Sequence, residues 1–265
     1  VGSRLVWIPA PGHELVVLQA RGDRLLASRS LATEQPVRPP LAASADDRVW
    51  CVHARRLGLV EVDLRSGAAR LLEFPVDMAP SRLAALAWDA RTGLLWAADV
   101  ANHRLLAFRP QSDAEPVHVI GHRGNGPGEF NYPTDIATFP DGSVLVLDAL
   151  NGRLQQFDAA GRHIGVYASG AARLQRPTAM TVGPGHRIWV YEASAQSLVA
   201  LDANGLPLLD GEGARLHLRG PGSCAAMAAN ALGEVWVADP LAGTVSLYRA
   251  PTPPGTGSPT AVERP

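Results

Sequence analysis

The chain has 265 residues, 46% hydrophobic and 18% charged, a globular rather than a disordered composition. Its net charge of −1 offers no global attraction for nucleic acid or an anionic membrane. All 24 basic residues are arginine, which excludes Schiff-base chemistry, a lysine-bound pyridoxal cofactor and a P-loop lysine. In chain order, short apolar runs separated by turn residues predict one strand after another. They are Val6–Pro9, Leu15–Leu18, Arg24–Ala27, a run from Leu41, Trp50–His53, Leu59–Val62 and Ala69–Phe74. Leu83–Ala87, Trp96–Asp99, Leu105–Phe108 and Pro116–Ile120 follow, then a run from Pro133, Val144–Asp148, Leu154–Phe157 and His163–Tyr167. The last are a run from Pro177, Trp189–Glu192, Leu198–Leu201, Leu206–Leu209, Cys224–Ala228, Trp236–Asp239 and Val245–Tyr248. No long segment of helical period interrupts them, so little or no helix is expected.

These runs repeat. A run ends at a marker position where Asp is commonest, and a further run begins about five residues later. The markers are Pro9, His53, Asp99, Asp148, Glu192 and Asp239, spaced by 44, 46, 49, 44 and 47 residues. A steady period of this size with four short strands per copy predicts an all-β, six-bladed β-propeller of four-stranded antiparallel blades. The expected blades are approximately residues 1–35, 36–75, 76–120, 121–167, 168–211 and 212–250 of a single domain, followed by a Pro/Gly-rich linker or tail at 251–265. Both terminal blades are incomplete on this count. Thr260–Glu263 is a candidate for one absent strand, and upstream sequence or a partner's strand for the other.

The residues from Gly124 to Gly161, GNGPGEFNYPTDIATFPDGSVLVLDALNGRLQQFDAAG, resemble an NHL repeat. They carry its glycine-rich lead, a Pro before the inner strand, Asp-Gly-Ser, a hydrophobic run to Asp, Asn-x-Arg and a run ending in Phe. Asn102-His103-Arg104 repeats the Asn-x-Arg triplet. At the later copies Glu192 and Ala195-Gln196-Ser197 depart from it. The resemblance implies a six-bladed NHL-type propeller. That fold hosts protein-binding modules, RNA-binding modules and metal-dependent lyases and lactonases, so it does not select a function.

Asp99, Asp148 and Asp239 recur blade after blade, which favours turn carboxylates capping backbone N–H groups over a functional ring. Asp135 differs, because Ala42, Ala84, Ala179 and Ala226 hold the equivalent inner-strand places. A lone carboxylate there could bind a metal or polarise a ligand, although NHL repeats use Asp at this place as ordinary structure. Arg82, Tyr132 and Arg176 precede inner strands; His122 and Arg123 lie in the glycine-rich loop; Asn102, His103, Asn151 and Arg153 lie on turns of the same face. Together with Asp135 they form the expected binding rim, suited to a carboxylate or an acidic loop. A solvated loop surface is the competing reading.

The eight histidines have no metal-ligand spacing, and neither a catalytic constellation, a metal site nor a cofactor is expected. Peptide-amidating lyases of this fold place histidines around the inner strands, which contain none here. Gluconolactonase-type propellers use a Glu/Asn/Asp set for which only Asp135 has a place. Cys51 and Cys224 are read as small buried apolar residues, not a disulfide framework. No stretch approaches the roughly 18 apolar residues of a membrane span.

The expectation is a non-catalytic binding or scaffold module that engages a protein partner or ligand through one face of a rigid propeller, as a subunit of a larger bacterial assembly. The alternative is a metal-assisted lyase or lactone hydrolase with an axial site near Asp135. No nucleic acid is expected, and peripheral association with a membrane complex is compatible with the chain. Val1 rather than Met opens the sequence, so a removed leader is not visible. Export is the favoured compartment.

Overall fold

The computed structural model describes residues 3–7, 12–21, 24–75, 80, 82–111, 115–168, 174–208, 217–219, 222–224, 226–230, 232–239 and 241–249. They are strands and turns, with two short 3-10 turns at Ala149–Asn151 and Pro184–His186. The strands assort into five sheets rather than six. The chain divides into two compact units, Val1–Gly142 and Ser143–Pro265.

In the first unit β1 (Ser3–Trp7), β2 (Gly12–Arg21), β3 (Arg24–Ala43), β4 (Arg48–His53), β5 (Gly58–Asp63) and β6 (Ala69–Glu73) make one six-stranded antiparallel sheet. This is where the expected count fails. The predicted outer strand at Arg24 and the predicted inner strand at Leu41 are one continuous strand of 20 residues. Its first part pairs with β2 and its last part with β4, so two expected blades share a strand. Pro39 and Pro40, which cannot donate to a ladder, fall at a register shift between Arg38 and Leu41. The second sheet is four-stranded: β7 (Leu83–Asp89), β8 (Leu94–Asp99), β9 (Arg104–Phe108) and the edge strand β10 (Pro116–Ile120). β11 (Pro133–Thr138) completes this unit.

The central strands are apolar on both faces because both faces are covered. Along β4, Trp50 and Val52 point into a core with Leu83, Leu86, Leu95 and Phe108 of the second sheet. Val49 and Cys51 point the other way, to Leu15, Val37, Val60 and Val62. This period-2 division explains the uninterrupted run Val49–Val52. Trp50 stacks on Trp88 with centroids 4.5 Å apart, and buried Trp96 stacks on His118 at 5.9 Å. Trp50 and Trp96 on β4 and β8 and Trp88 on β7 thus pack within the fold. Burial among apolar groups pushes the Cys51 thiol up to about 12, so it stays an inert apolar side chain.

The second unit contains β12 (Val144–Asp148), β13 (Arg153–Phe157) and β14 (His163–Tyr167), an antiparallel meander. A four-stranded sheet follows: β15 (Pro177–Val182), β16 (Ile188–Glu192), β17 (Ser197–Leu201) and β18 (His217–Arg219). The last sheet has three described strands, β19 (Ala226–Ala229), β20 (Glu234–Asp239) and β21 (Thr244–Arg249). Trp189, Tyr191 and Leu198 pack with Val235 and Val237 between those two sheets.

Two expectations change in this unit. Of the outer strand placed at Leu206–Leu209, Pro207 forms an isolated bridge to Leu201 and the Leu208 amide donates to the Ala200 carbonyl at 2.9 Å, Leu209 lies outside the described residues, and the strand assigned beside β17 is β18, at His217–Arg219 against Ser197–Val199. Cys224 is half-buried rather than core. The marker Pro9 and the segment Thr260–Glu263 lie outside the described residues.

Candidate functional site

Every described marker position holds an acceptor, and each binds a turn or the entry to a neighbouring strand. His53 accepts the backbone N–H groups of Arg55 and Arg56 on Nδ1, at 3.0 and 2.8 Å. Asp99 is fully buried and accepts from Asn102 Nδ2 at 2.7 Å, Arg104 Nε at 2.9 Å and the Arg82 amide at 3.4 Å. Asp148, also fully buried, accepts from Asn151 at 2.8 Å, Arg153 at 2.8 Å and Gln155 at 3.2 Å, all on Oδ2. Glu192 accepts the Gln175 amide. Asp239 accepts the amides of Ser223, Leu241 and Ala242, and these bonds hold its carboxyl below the usual range, the Ser223 hydroxyl being the largest cause. The Asn and Arg of the Asn-x-Arg triplet therefore clasp a buried carboxylate. Asn102, Asn151 and Arg153 of the expected rim are engaged this way. Arg104, five residues after Asp99 as Arg153 is after Asp148, belongs with them and was legible from that spacing.

The glycine-rich loop is a built structure. Gly121 takes φ +87°, and a Cβ there would lie 2.5 Å from the buried Phe130 ring. Phe130 donates to the His122 carbonyl at 2.9 Å and accepts from Gly124 at 3.0 Å. Glu129 latches the loop: its carboxylate accepts the Gly126 amide at 2.9 Å and faces His122 Nε2 at 3.4 Å. The Gly126 amide is the main cause holding the Glu129 carboxyl below its ordinary range. A Cβ on Gly124 would collide with this carboxylate, so the glycines serve loop closure. His122 is thus occupied by Glu129. Arg123 is exposed and forms no ion pair among the described residues.

Three rim residues come together in the first unit. Arg82 Nη1 donates to the Tyr132 phenol at 3.2 Å, and the Tyr132 amide donates to His103 Nδ1 at 3.0 Å. The two rings meet edge to face with centroids 6.3 Å apart. The Val100 amide donates to the Arg82 carbonyl at 3.0 Å, which fixes this entry to β7 against the end of β8. Asp135, on β11, is half-buried and its Oδ1 accepts the Ile136 amide at 2.9 Å. In the second unit Arg176 is exposed before β15, its carbonyl accepts the Ala193 amide at 3.0 Å, and its guanidinium has no ion pair among the described residues. Among the described residues no group of three or more His, Cys, Asp or Glu side chains is placed to hold a metal ion. Among those residues, too, no helix is long and apolar enough to cross a membrane.

The class these features define is an all-β chain of propeller-type antiparallel blades with an NHL-like clasp at its turns. Residues 130–157 match the NHL repeat family, and the β12–β13 turn with its Asp148–Asn151–Arg153 clasp lies inside that match. Among solved structures the chain is similar to a streptogramin B lyase, at 17% identity over 80% of this chain and 68% of that one, with a TM-score of 0.55. It is similar to virginiamycin B lyase from Staphylococcus aureus, at 14% identity over 91% and 79% with a TM-score of 0.57. It is also similar to Kuenenia stuttgartiensis hydrazine synthase, at 10% identity over 90% of both chains with a TM-score of 0.57. At such identities the likeness is one of fold. No curated protein matches the sequence.

Proposed function

We propose that residues 1–250 act as a non-catalytic binding or scaffold module that engages a protein partner through exposed turn residues, as a subunit of a larger bacterial assembly. The observation that carries this reading is the joined cluster of Arg82, Tyr132 and His103 on the surface of the first unit. Hydrogen-bonded turns hold its groups, and its guanidinium has no acid among the described residues. Arg123 and Arg176 add two further exposed guanidinium groups without an ion pair among those residues. The test is the native mass of the endogenous protein after gentle extraction. A species much heavier than the 28.0 kDa chain with stoichiometric companions is expected, and a chain that travels alone removes the assembly reading.

A second reading is favoured by the likeness to two lyases: a metal-assisted lyase or lactone hydrolase with Asp135 at its site. It requires a divalent ion to polarise the scissile group. It is checked by turnover of a lactone substrate with and without added divalent ions, in the native chain and in Asp135→Asn. Ion-dependent turnover lost in the variant would establish it.

A further inference from the structure

We propose that Arg82, Tyr132 and His103 form a recognition site for one carboxylate, supplied by an acidic side chain of the partner. This rests on the binding-module reading and names the chemistry of its contact. Several arginines of the first unit lean on acids, Arg48 and Arg70 on Glu61, Arg65 on Asp47 and Arg104 on Asp99, while Arg29 and Arg109 donate to backbone carbonyls. Arg82 is exposed and is held by a phenol instead. With Nη1 anchored on Tyr132, the parallel N–H groups of the Nε–Nη2 edge have no acceptor among the described residues. That edge presents two parallel donors that match a carboxylate in bidentate fashion.

The neighbouring groups add donors and no charge. Tyr132 accepts a hydrogen from Arg82, so its own O–H remains a donor. His103 accepts the Tyr132 amide on Nδ1, which places the ring proton on Nε2 as a second donor. Both residues hold left-handed backbone without being glycine, His103 at φ +53° and Tyr132 at φ +67°. The corresponding turn of the second unit uses Gly152 at φ +62°, which meets the same demand without strain. The first unit instead carries an imidazole there and directs it at Tyr132. One cation and two neutral donors match the single charge of a carboxylate. A phosphate dianion would be left half neutralised.

The test is an NMR titration of protein carrying ring-labelled tyrosine, where the Tyr132 signal is identified among the four tyrosines by its loss in Tyr132→Phe. The probes are N-acetylglutamate amide, N-acetylglutamine amide, sodium acetate and inorganic phosphate. A saturable Tyr132 shift with the glutamate probe and none with the glutamine probe is expected. Arg82→Gln should weaken it by about 10-fold or more, the usual cost of losing a charged hydrogen-bond partner. Arg56→Gln, which removes the same charge from an exposed pair with Glu73, should leave it unchanged. Equal weakening by both variants, or no saturable shift, overturns the site. Tighter binding of phosphate overturns the carboxylate assignment, and tighter binding of acetate than of the glutamate probe overturns the partner as its source. A natural companion that Arg82→Gln retains in full sinks this site and leaves the module reading. A saturable glutamate shift in a chain that travels alone does the reverse.

Discussion

The turn at Asp99–Arg104 in the first unit and the turn at Asp148–Arg153 in the second are built alike and then used differently. In both, a fully buried carboxylate is clasped by an Asn three residues later and an Arg five residues later. In the second unit the clasp is closed further by Gln155, and the residue between Asn and Arg is Gly152, which has no side chain to offer. In the first unit that residue is His103, which reaches Tyr132 and through it Arg82. A structural turn thus becomes a platform by changing one residue. The later markers show which part of the clasp is essential. Ser197 and Thr244 replace the arginine, and Glu192 and Asp239 then accept backbone amides instead. The position demands an acceptor, while its donors are exchangeable.

The largest effect that would break this comparison is expected from Asp148→Ala. It leaves the Arg153 guanidinium, 11% exposed, with Asn151 and Gln155, around an empty acceptor position. A loss of roughly 3–5 kcal/mol is expected in urea unfolding, the usual cost of breaking a buried ion pair from one side. A loss under about 1 kcal/mol would mean the clasp is decoration. Asp99→Ala should cost less, roughly 2–4 kcal/mol, because Arg104 is 19% exposed and reaches water more readily. The reverse order would show that the extra closure by Gln155 adds nothing.

Acid should act next. Burial is the main cause lowering the pKa of both His53 and His163 below the ordinary imidazole value. Protonating His53 would also cost the two amide bonds on its Nδ1. Since the folded values lie below the unfolded one, this stability is complete above the unfolded pKa of about 6.5 and declines as pH falls through it toward the folded values. The melting temperature should therefore drop between neutral pH and about pH 5, and His53→Asn, which keeps an acceptor, should flatten that slope. An unchanged slope in that variant would assign the loss elsewhere. The smallest effect on stability is expected from Arg82→Gln, within about 0.5 kcal/mol of the native chain, because an exposed guanidinium bonded to a phenol contributes little to folding. Its effect belongs to binding.

The strands were legible because a blade strand is short and bounded by turn residues. Pro116–Ile120 and His163–Tyr167 coincide with β10 and β14 to the residue. The markers were legible too, since a carboxylate recurring at four of the six positions, Asp99, Asp148, Glu192 and Asp239, reports a repeated turn. The number of sheets was not. Residues 24–43 contain Pro36, Pro39 and Pro40 and read as two strands with a connection between them. Pairing with β2 on one part and with β4 on the other makes them one strand, and no local pattern says whether the segment between two neighbouring hairpins continues the strand or leaves it.

The candidate site divides in the same way. Arg82, His103 and Tyr132 were each recognisable as turn residues near inner or second strands, but so were Asn102, Asn151, Arg153 and His122. The side chains of Arg153 and Asn151 turn inward to a buried acid and that of His122 to Glu129, while Arg82, separated from Tyr132 by 50 residues, meets its phenol on the surface. The sequence by itself determined the strand-turn rhythm and the recurring carboxylates at Asp99, Asp148 and Asp239, because both are written in residues that lie close together in the chain. The tertiary structure alone decided the sheet count and the meeting of Arg82 with Tyr132, because one depends on whether β3 runs unbroken between its two partners and the other on bringing residues 50 apart within hydrogen-bonding reach.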